Sequence, residues 1–231
     1  MGETSKTNAI RGEAFLKTYC AGRVIDIGCG DELVVPDAEG FDLADGDANF
    51  IDELREQDAY DCVHSAHCLE HMMDPQDAIN RWWKLVKPGG HLIVVVPEED
   101  LYEQGEWPSR FNEDHKATFR LNRPTTWSPV SYDMLELAKA LPGGTVISSD
   151  VHDHEYNHAM VRKEPEGMWS VIMRHQVIAL YHHLNERRLL SLPLVLEMNR
   201  FFFELGMTVD QTIGPALAQI QVVVQKIPAE D

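Results

Sequence analysis

Val24-Ile25-Asp26-Ile27-Gly28-Cys29-Gly30 is a short apolar run that closes in two glycines one residue apart. A β-rich run that ends this way predicts a strand followed by a tight turn. Without Cβ atoms in the way, a ligand can lie directly against such a turn's backbone. Taken alone, the Gly-x-Gly pattern also fits a plain tight turn. A dinucleotide fingerprint would place Gly or Ala at position 33, where this chain has Leu33, so the pattern speaks against NAD.

Working outward, strand-like and helix-like segments alternate. Asn8 to Tyr19 predicts a helix, Glu39 to Leu43 a short strand around Phe41, and Tyr60 to Ala66 another strand. Pro75 to Val86 predicts a helix, with Asp74 as N-cap and Pro75 in its first turn. Lys87-Pro88-Gly89-Gly90 stops it, and His91 to Pro97 is a continuous apolar run of the kind that fills the middle of a parallel sheet. Further on, Tyr132 to Leu141 predicts a helix, Thr145 to Val151 a strand, Trp169 to Leu184 a helix and Gln219 to Ile227 the last strand. Strands separated by helices imply right-handed crossovers and a doubly wound α/β sheet. The expected organisation is a single domain over 1–231 with a helical insertion over 155–215, before the last strand.

Composition narrows the function. The 231 residues hold 20 basic and 38 acidic side chains, a formal net charge of -18, which disfavours nucleic acid as a partner. The cysteines (Cys20, Cys29, Cys62, Cys68) form no CxxC pair and read as reduced thiols. With no apolar signal region in MGETSKTNAIRGEAF, a cytoplasmic location is expected. Leu189 to Met207 is strongly apolar but is interrupted by Pro193, Glu197, Arg200 and Glu204, so no membrane insertion is expected; the segment predicts a buried or interface helix pair. Phe201, Phe202 and Phe203 would point across about 200° of a helix, more than one neighbour can bury. That motivates a homodimer contact or a cover over a ligand pocket.

The sequence VIDIGCG, Asp42 twelve residues after Gly30, Gly46-Asp47-Ala48, the segment YDCVHSAHCLEH and KPGG together resemble the class I S-adenosylmethionine-dependent methyltransferases, and among them the broad small-molecule group labelled methyltransferase type 11. The resemblance covers about residues 8–97 and the last two strands. It implies a seven-stranded Rossmann-like methyltransferase sheet and S-adenosyl-L-methionine as cofactor. It further implies backbone contacts from Gly28, Cys29 and Gly30 to the methionine part, with Asp26 ordering the turn and helping to bind the ammonium. Asp42 would hold the ribose, with Asp45 in reserve; Asp47 and Ala48 would meet the adenine; Ser65 would offer backbone to the methionine end. Val95 to Phe119 resembles bacterial members found with cell-surface sugar or polysaccharide biosynthesis. The span from Gly30 to Asp42 holds Pro36 and few apolar residues, so the first crossover helix is expected to be short. Residues 31–61 carry twelve acidic side chains and one basic one, Arg55, a field suited to a cationic sulfonium, although most of these groups also read as a solvated face.

Ligands of open α/β sheets bind beyond the carboxyl ends of the strands, so the acceptor is expected between the long connections after Pro97 and after Val151. Glu98, Tyr102, Arg110 and Asn112 are the candidate substrate contacts. Arg110 alternatively pairs with Glu113 or Asp114. His67, His115 and His154 are the candidate bases, because an oxygen or nitrogen acceptor that carries a proton must lose it. His71 reads as structural. His152, His154 and His158 form HxHxxxH without a fixed carboxylate partner, so no metal is expected there and activity is expected to survive chelation. The expected function is methyl transfer to oxygen or nitrogen of a small polar metabolite, related to sugars or cell-surface polysaccharide. The alternative is a non-catalytic binding or regulatory subunit on the same fold.

Overall fold

A computed structural model describes residues 2–161, 180–181, 184, 187 and 189–227. Its centre is a six-stranded sheet. Strands β1 (Val24–Ile27), β2 (Glu39–Phe41), β3 (Tyr60–Ala66) and β4 (Val86–Pro97) run parallel. β8 (Gln219–Lys226) runs antiparallel between β4 and β7 (Gly144–His152), in the order β2-β1-β3-β4-β8-β7. A separate pair, β5 (Thr118–Arg120) and β6 (Ser131–Asp133), forms a small parallel ladder.

The apolar run of β4 is continuous because both faces of the sheet are covered. Leu92, Val94 and Val96 pack with Ile79, Trp82 and Trp83 of helix α3 (Pro75–Leu85), while Ile93 faces the opposite layer with Cys20, Val24 and Val223. Asp74 caps α3 as expected, accepting from the N–H groups of Gln76 and Asp77 at 2.9 and 3.2 Å. Two indoles anchor the helix's buried face: Trp82 donates to the Ala48 carbonyl and Trp83 to the Pro142 carbonyl, each at 2.9 Å.

Several boundaries differ from expectation. Helix α1 (Glu3–Tyr19) begins five residues before Asn8 and is broken at Gly12, where φ is 71°. No crossover helix joins β1 to β2; turns fill that span. The sheet has six strands among the described residues where seven are expected. The region that would supply another strand between β2 and β3 instead folds as a 3₁₀ turn, Ala48–Phe50, running into the single-turn helix α2 (Ile51–Leu54). Asp47 starts that turn by accepting the Asn49 N–H, a local bond that competes with strand pairing. Lys87-Pro88-Gly89-Gly90 belongs to the start of β4, because α3 ends at Leu85 and the chain extends immediately. Helix α4 (Met134–Lys139) is shorter than expected, Ser131–Asp133 being paired as β6. Leu189 to Met207 contains one helix, α5 (Leu192–Glu204), rather than a pair. The helix expected over Trp169 to Leu184 lies outside the described residues except at Leu180, Tyr181 and Leu184. Among the described residues no helix is long and apolar enough to cross a membrane.

Beneath β1 lies a buried polar chain. Asp26 Oδ2 accepts the Val34 N–H at 2.6 Å, and Oδ1 lies 2.6 Å from His64 Nδ1. Arg11 approaches His64 Nε2 at 3.1 Å and Gln221 Oε1 at 2.7 Å. A guanidinium only donates, so Nε2 must accept and the His64 proton sits on Nδ1, facing Asp26. Burial lowers the His64 pKa below 6.5, overriding the pull of Asp26, so the ring is held neutral. Unfolded chains take up this proton near 6.5, folded ones only at lower pH. The stabilising contribution is therefore present above pH 6.5 and lost as pH falls through the folded value. The melting temperature should drop between pH 7.5 and 5. In His64→Gln the drop should be shallower, from a starting stability lower by about 1–3 kcal/mol. Thermal melts of both proteins across that range check this.

Candidate active site

A cleft of about 810 Å³ opens at the carboxyl ends of β1 and β3. Its floor is Gly28, Cys29 and Gly30, continued by Asp31 and Glu32; Ala66 and His67 form one wall. The start of α1 (Gly2, Glu3, Thr4, Lys6) forms another, and Leu190, Leu192 and Val195 with Ile213, Gly214 and Pro215 lie across it.

The two glycines of the floor do different work. Gly28 has φ 72°, and a Cβ there would stand 2.6 Å from the Cys68 Cβ, so the turn is packed tightly from the protein side. Gly30 has φ 52° and nothing within 4 Å of its would-be Cβ. Its bare face opens on space that a side chain would fill, the cradle expected for a ligand lying along the backbone. Asp42, at the end of β2, accepts the Gly30 N–H on Oδ2 at 2.8 Å and its neighbour Leu43's N–H on Oδ1 at 2.7 Å. Each carboxylate oxygen keeps a second lone pair. Asp45 accepts the Asp42 N–H at 3.1 Å and so supports the loop.

Of the other cofactor candidates, Asp26 is buried under the turn with both oxygens engaged in the network described above. The Ser65 hydroxyl donates to the Ile27 carbonyl at 3.0 Å, tying the ends of β1 and β3 together. Asp47 is exposed and accepts from the Asn49 side chain as well as its backbone, and the Ala48 carbonyl holds Trp82.

The candidate bases are dispersed. His67 lines the cleft in a left-handed conformation, φ 54°. Its Nε2 lies 3.0 Å from Gln219 Oε1, and its Nδ1 lies 3.6 Å from Glu70. Burial alone would lower its pKa, but Glu70, Glu3 and the Gln219 bond outweigh that and push it up to about 9. His67 therefore carries a proton at neutral pH, with Nε2–H on Gln219 and Nδ1–H toward Glu70, and has no lone pair with which to take another. His115 is buried away from the cleft lining, with Nδ1 2.7 Å from Glu103 Oε1. His154 is exposed and outside the cleft lining, its carbonyl accepting the Leu217 N–H.

The acceptor candidates are largely engaged within the protein. Glu98 caps the turn Glu99–Glu103 through the Asp100 and Leu101 N–H groups and meets Arg123 at 2.8 Å; burial pushes its carboxyl up to about 7. Tyr102 packs against His115 and Phe111. Arg110 pairs with Glu106, four residues earlier in the same loop, and donates to Thr208. Asn112 shapes its own loop by accepting the Asp114 N–H on Oδ1 and the His115 N–H on its carbonyl. The sequence carried no signal for Glu3, Thr4, Lys6 or the segment Ile213–Pro215, which reach the cleft only through tertiary packing. Lys6 shows how: it is 5% exposed, pairs with Glu3 and donates to the Thr212 carbonyl at 2.7 Å, fastening the two walls together.

Residues 11–127 match the family model of a methyltransferase domain. A 98-residue stretch is 33% identical to a ubiquinone biosynthesis O-methyltransferase from Pectobacterium carotovorum, covering 31% of this chain and 41% of that relative, less than half its length. An S-adenosylmethionine-dependent methyltransferase from Archaeoglobus fulgidus aligns over 97% of this chain and 95% of its own, with a TM-score of 0.49 and 12% identity. Phosphoethanolamine N-methyltransferase 2 from Haemonchus contortus, in complex with S-adenosyl-L-methionine, aligns over 99% of this chain and 53% of its own, with a TM-score of 0.46 and 13% identity.

The two glycines give separable tests. Gly28→Ala should lower stability by more than the roughly 1–2 kcal/mol of a left-handed alanine, because its methyl also meets Cys68. Gly30→Ala should incur the backbone term alone, yet place a methyl in the cleft and weaken binding of S-adenosylmethionine. Thermal melts and calorimetric titration of both variants separate the two effects.

Proposed function

The chain belongs to the methyltransferase-domain family and depends on S-adenosylmethionine, and on that premise we propose that it methylates an oxygen or nitrogen of a small polar metabolite held in the cleft above Gly28–Gly30. The observation that carries this reading is the open face of Gly30, beside Asp42 at the rim of a cleft lined by Glu3, Asp31 and Glu32. Those carboxylates favour a cationic ligand. Gly28, Cys29 and Gly30 would hold the methionine part by backbone, Asp42 the ribose, and Asp47 with Ala48 the adenine. Asp26 and Ser65 act from beneath by fixing the turn.

When bound, the cofactor supplies an electrophilic methyl on a sulfonium whose leaving group is a neutral thioether. The protein's part is then to orient the acceptor, exclude water and direct its proton. His67 is placed for orientation: its ring lines the cleft, pinned by Gln219. Helix α5 and the segment Leu190–Leu192 act as the pocket cover, since Leu190, Leu192 and Val195 reach the cleft. The relative's O-methyl transfer favours oxygen over nitrogen, and hydroxylated acceptors, sugar-derived ones among them, are the first to screen.

Turnover is tested by incubating the protein with S-adenosylmethionine and an acceptor panel while S-adenosylhomocysteine release is followed. Product with a small hydroxylated acceptor is expected; product only with amines would move the reaction to nitrogen. Asp42→Ala should weaken cofactor binding by about 2–4 kcal/mol, through the loss of charge-assisted hydrogen bonds. An unchanged affinity in the folded variant would shift the ribose to Asp45.

A further inference from the structure

Glu70, His71 and His115 each offer one ligand atom, and these three atoms lie within 4.8 Å of one another. They come from two pieces of chain: the 3₁₀ turn Leu69–His71 just after β3, and the loop between β4 and β5. The pieces are joined by backbone, the Lys116 N–H donating to the Glu70 carbonyl at 2.7 Å and Lys116 Nζ to the His71 carbonyl at 2.6 Å. The Glu70 side chain is 1% exposed, and neither of its carboxylate oxygens has a hydrogen-bond partner. His67 Nδ1 approaches it at 3.6 Å and His115 Nε2 at 4.0 Å. The His67 imidazolium supplies charge from 3.6 Å but no hydrogen bond by distance, so the lone pairs of this buried carboxylate stay open to a further cation.

The two histidines are held the way ligands are. His115 Nδ1 lies 2.7 Å from Glu103 Oε1, and His71 Nδ1 lies 2.9 Å from Asp114 Oδ2. A carboxylate on Nδ1 fixes the tautomer and leaves Nε2 with its lone pair, the usual outer support of a metal-bound imidazole.

We propose that Glu70, His71 and His115 bind a divalent transition-metal ion such as Zn²⁺. Two imidazoles and one carboxylate suit such an ion, whereas Mg²⁺ and Ca²⁺ prefer oxygen alone. Bonds of about 2.0–2.2 Å would draw the three atoms together by roughly 1 Å. The ion would tie the turn after β3 to the β4–β5 loop. Three protein ligands leave at least one coordination position to water or another donor. This site is separate from His152, His154 and His158, and it holds whether or not the acceptor assignment does.

The test strips the whole protein with EDTA, desalts it, adds Zn²⁺, desalts again and measures retained metal; Co²⁺ absorption reports the ligand set. About one equivalent is expected in the wild type. His115 is buried and its loss can unfold the chain, so the informative variants are His71→Ala, at a site 25% exposed, and Glu70→Gln. Both should lose stoichiometric binding while circular dichroism shows the fold intact. Asp114→Asn should weaken binding by about 10- to 100-fold, as expected for an outer partner. Three outcomes would overturn the proposal: no retained ion in the folded wild type, retention unchanged in His71→Ala and Glu70→Gln, or loss in His152→Ala and His154→Ala instead.

Discussion

Asp26 is the constraint on which the site depends. One carboxylate buried under β1 holds the Val34 N–H, and so pulls the chain leaving the glycine turn back under the sheet. It also holds the His64 proton, and through His64 it meets Arg11 of the broken helix α1. Three elements are thereby referenced to one residue: the turn, the neighbouring strand β3 and the helix whose first residues wall the cleft. A carboxylate without such partners would not survive at this depth. With them, the Gly28–Gly30 turn needs no crossover helix to keep its shape. Asp42 completes the arrangement from the rim, gripping the Gly30 N–H from the end of β2.

Function follows from what this frame leaves open. Gly28 is closed off by Cys68, while Gly30 faces empty space, so the turn has an inner side fitted to the protein and an outer side offered to a ligand. The acidic side chains around it suit a cationic cofactor, and Leu190 and Leu192 line the cleft as well. The apolar character of α5 is then divided. Val195 and Phe202 are buried with Met207 and Val209, whereas Phe201 is more than half exposed. The divergence expected of three successive phenylalanines is what the helix shows.

Most of the parallel core was legible in the sequence, because β1 closes in glycine, the apolar run of β4 ends in Pro97, and α3 carries both an N-cap and a proline. The glycine turn and Asp42 were legible too, since both are local features at short spacing. The missing strand was not. The seven strands came from the resemblance, and only the turn that Asp47 starts reveals a local bond in place of a ladder. The cleft's α1 wall was equally hidden: Glu3, Thr4 and Lys6 carry no motif, and they reach the site by packing across more than 200 residues of chain to Thr212. Arg110 read as a cation available to an anionic acceptor, yet an i−4 glutamate and a distant threonine engage it. As a group Glu70, His71 and His115 were not legible: His115 read as a base and His71 as structural, and 44 residues separate the two in the chain.

The central claim is that the cofactor lies along the turn after β1, under a cover formed by the insertion. Hydrogen–deuterium exchange with and without S-adenosylmethionine tests it most directly. The account predicts slower exchange at Gly28–Glu32 and at Asp42–Leu43, together with slowing at Leu190–Leu192 and Ile213–Pro215. Binding that protects other segments while leaving Gly28–Glu32 unchanged would contradict it.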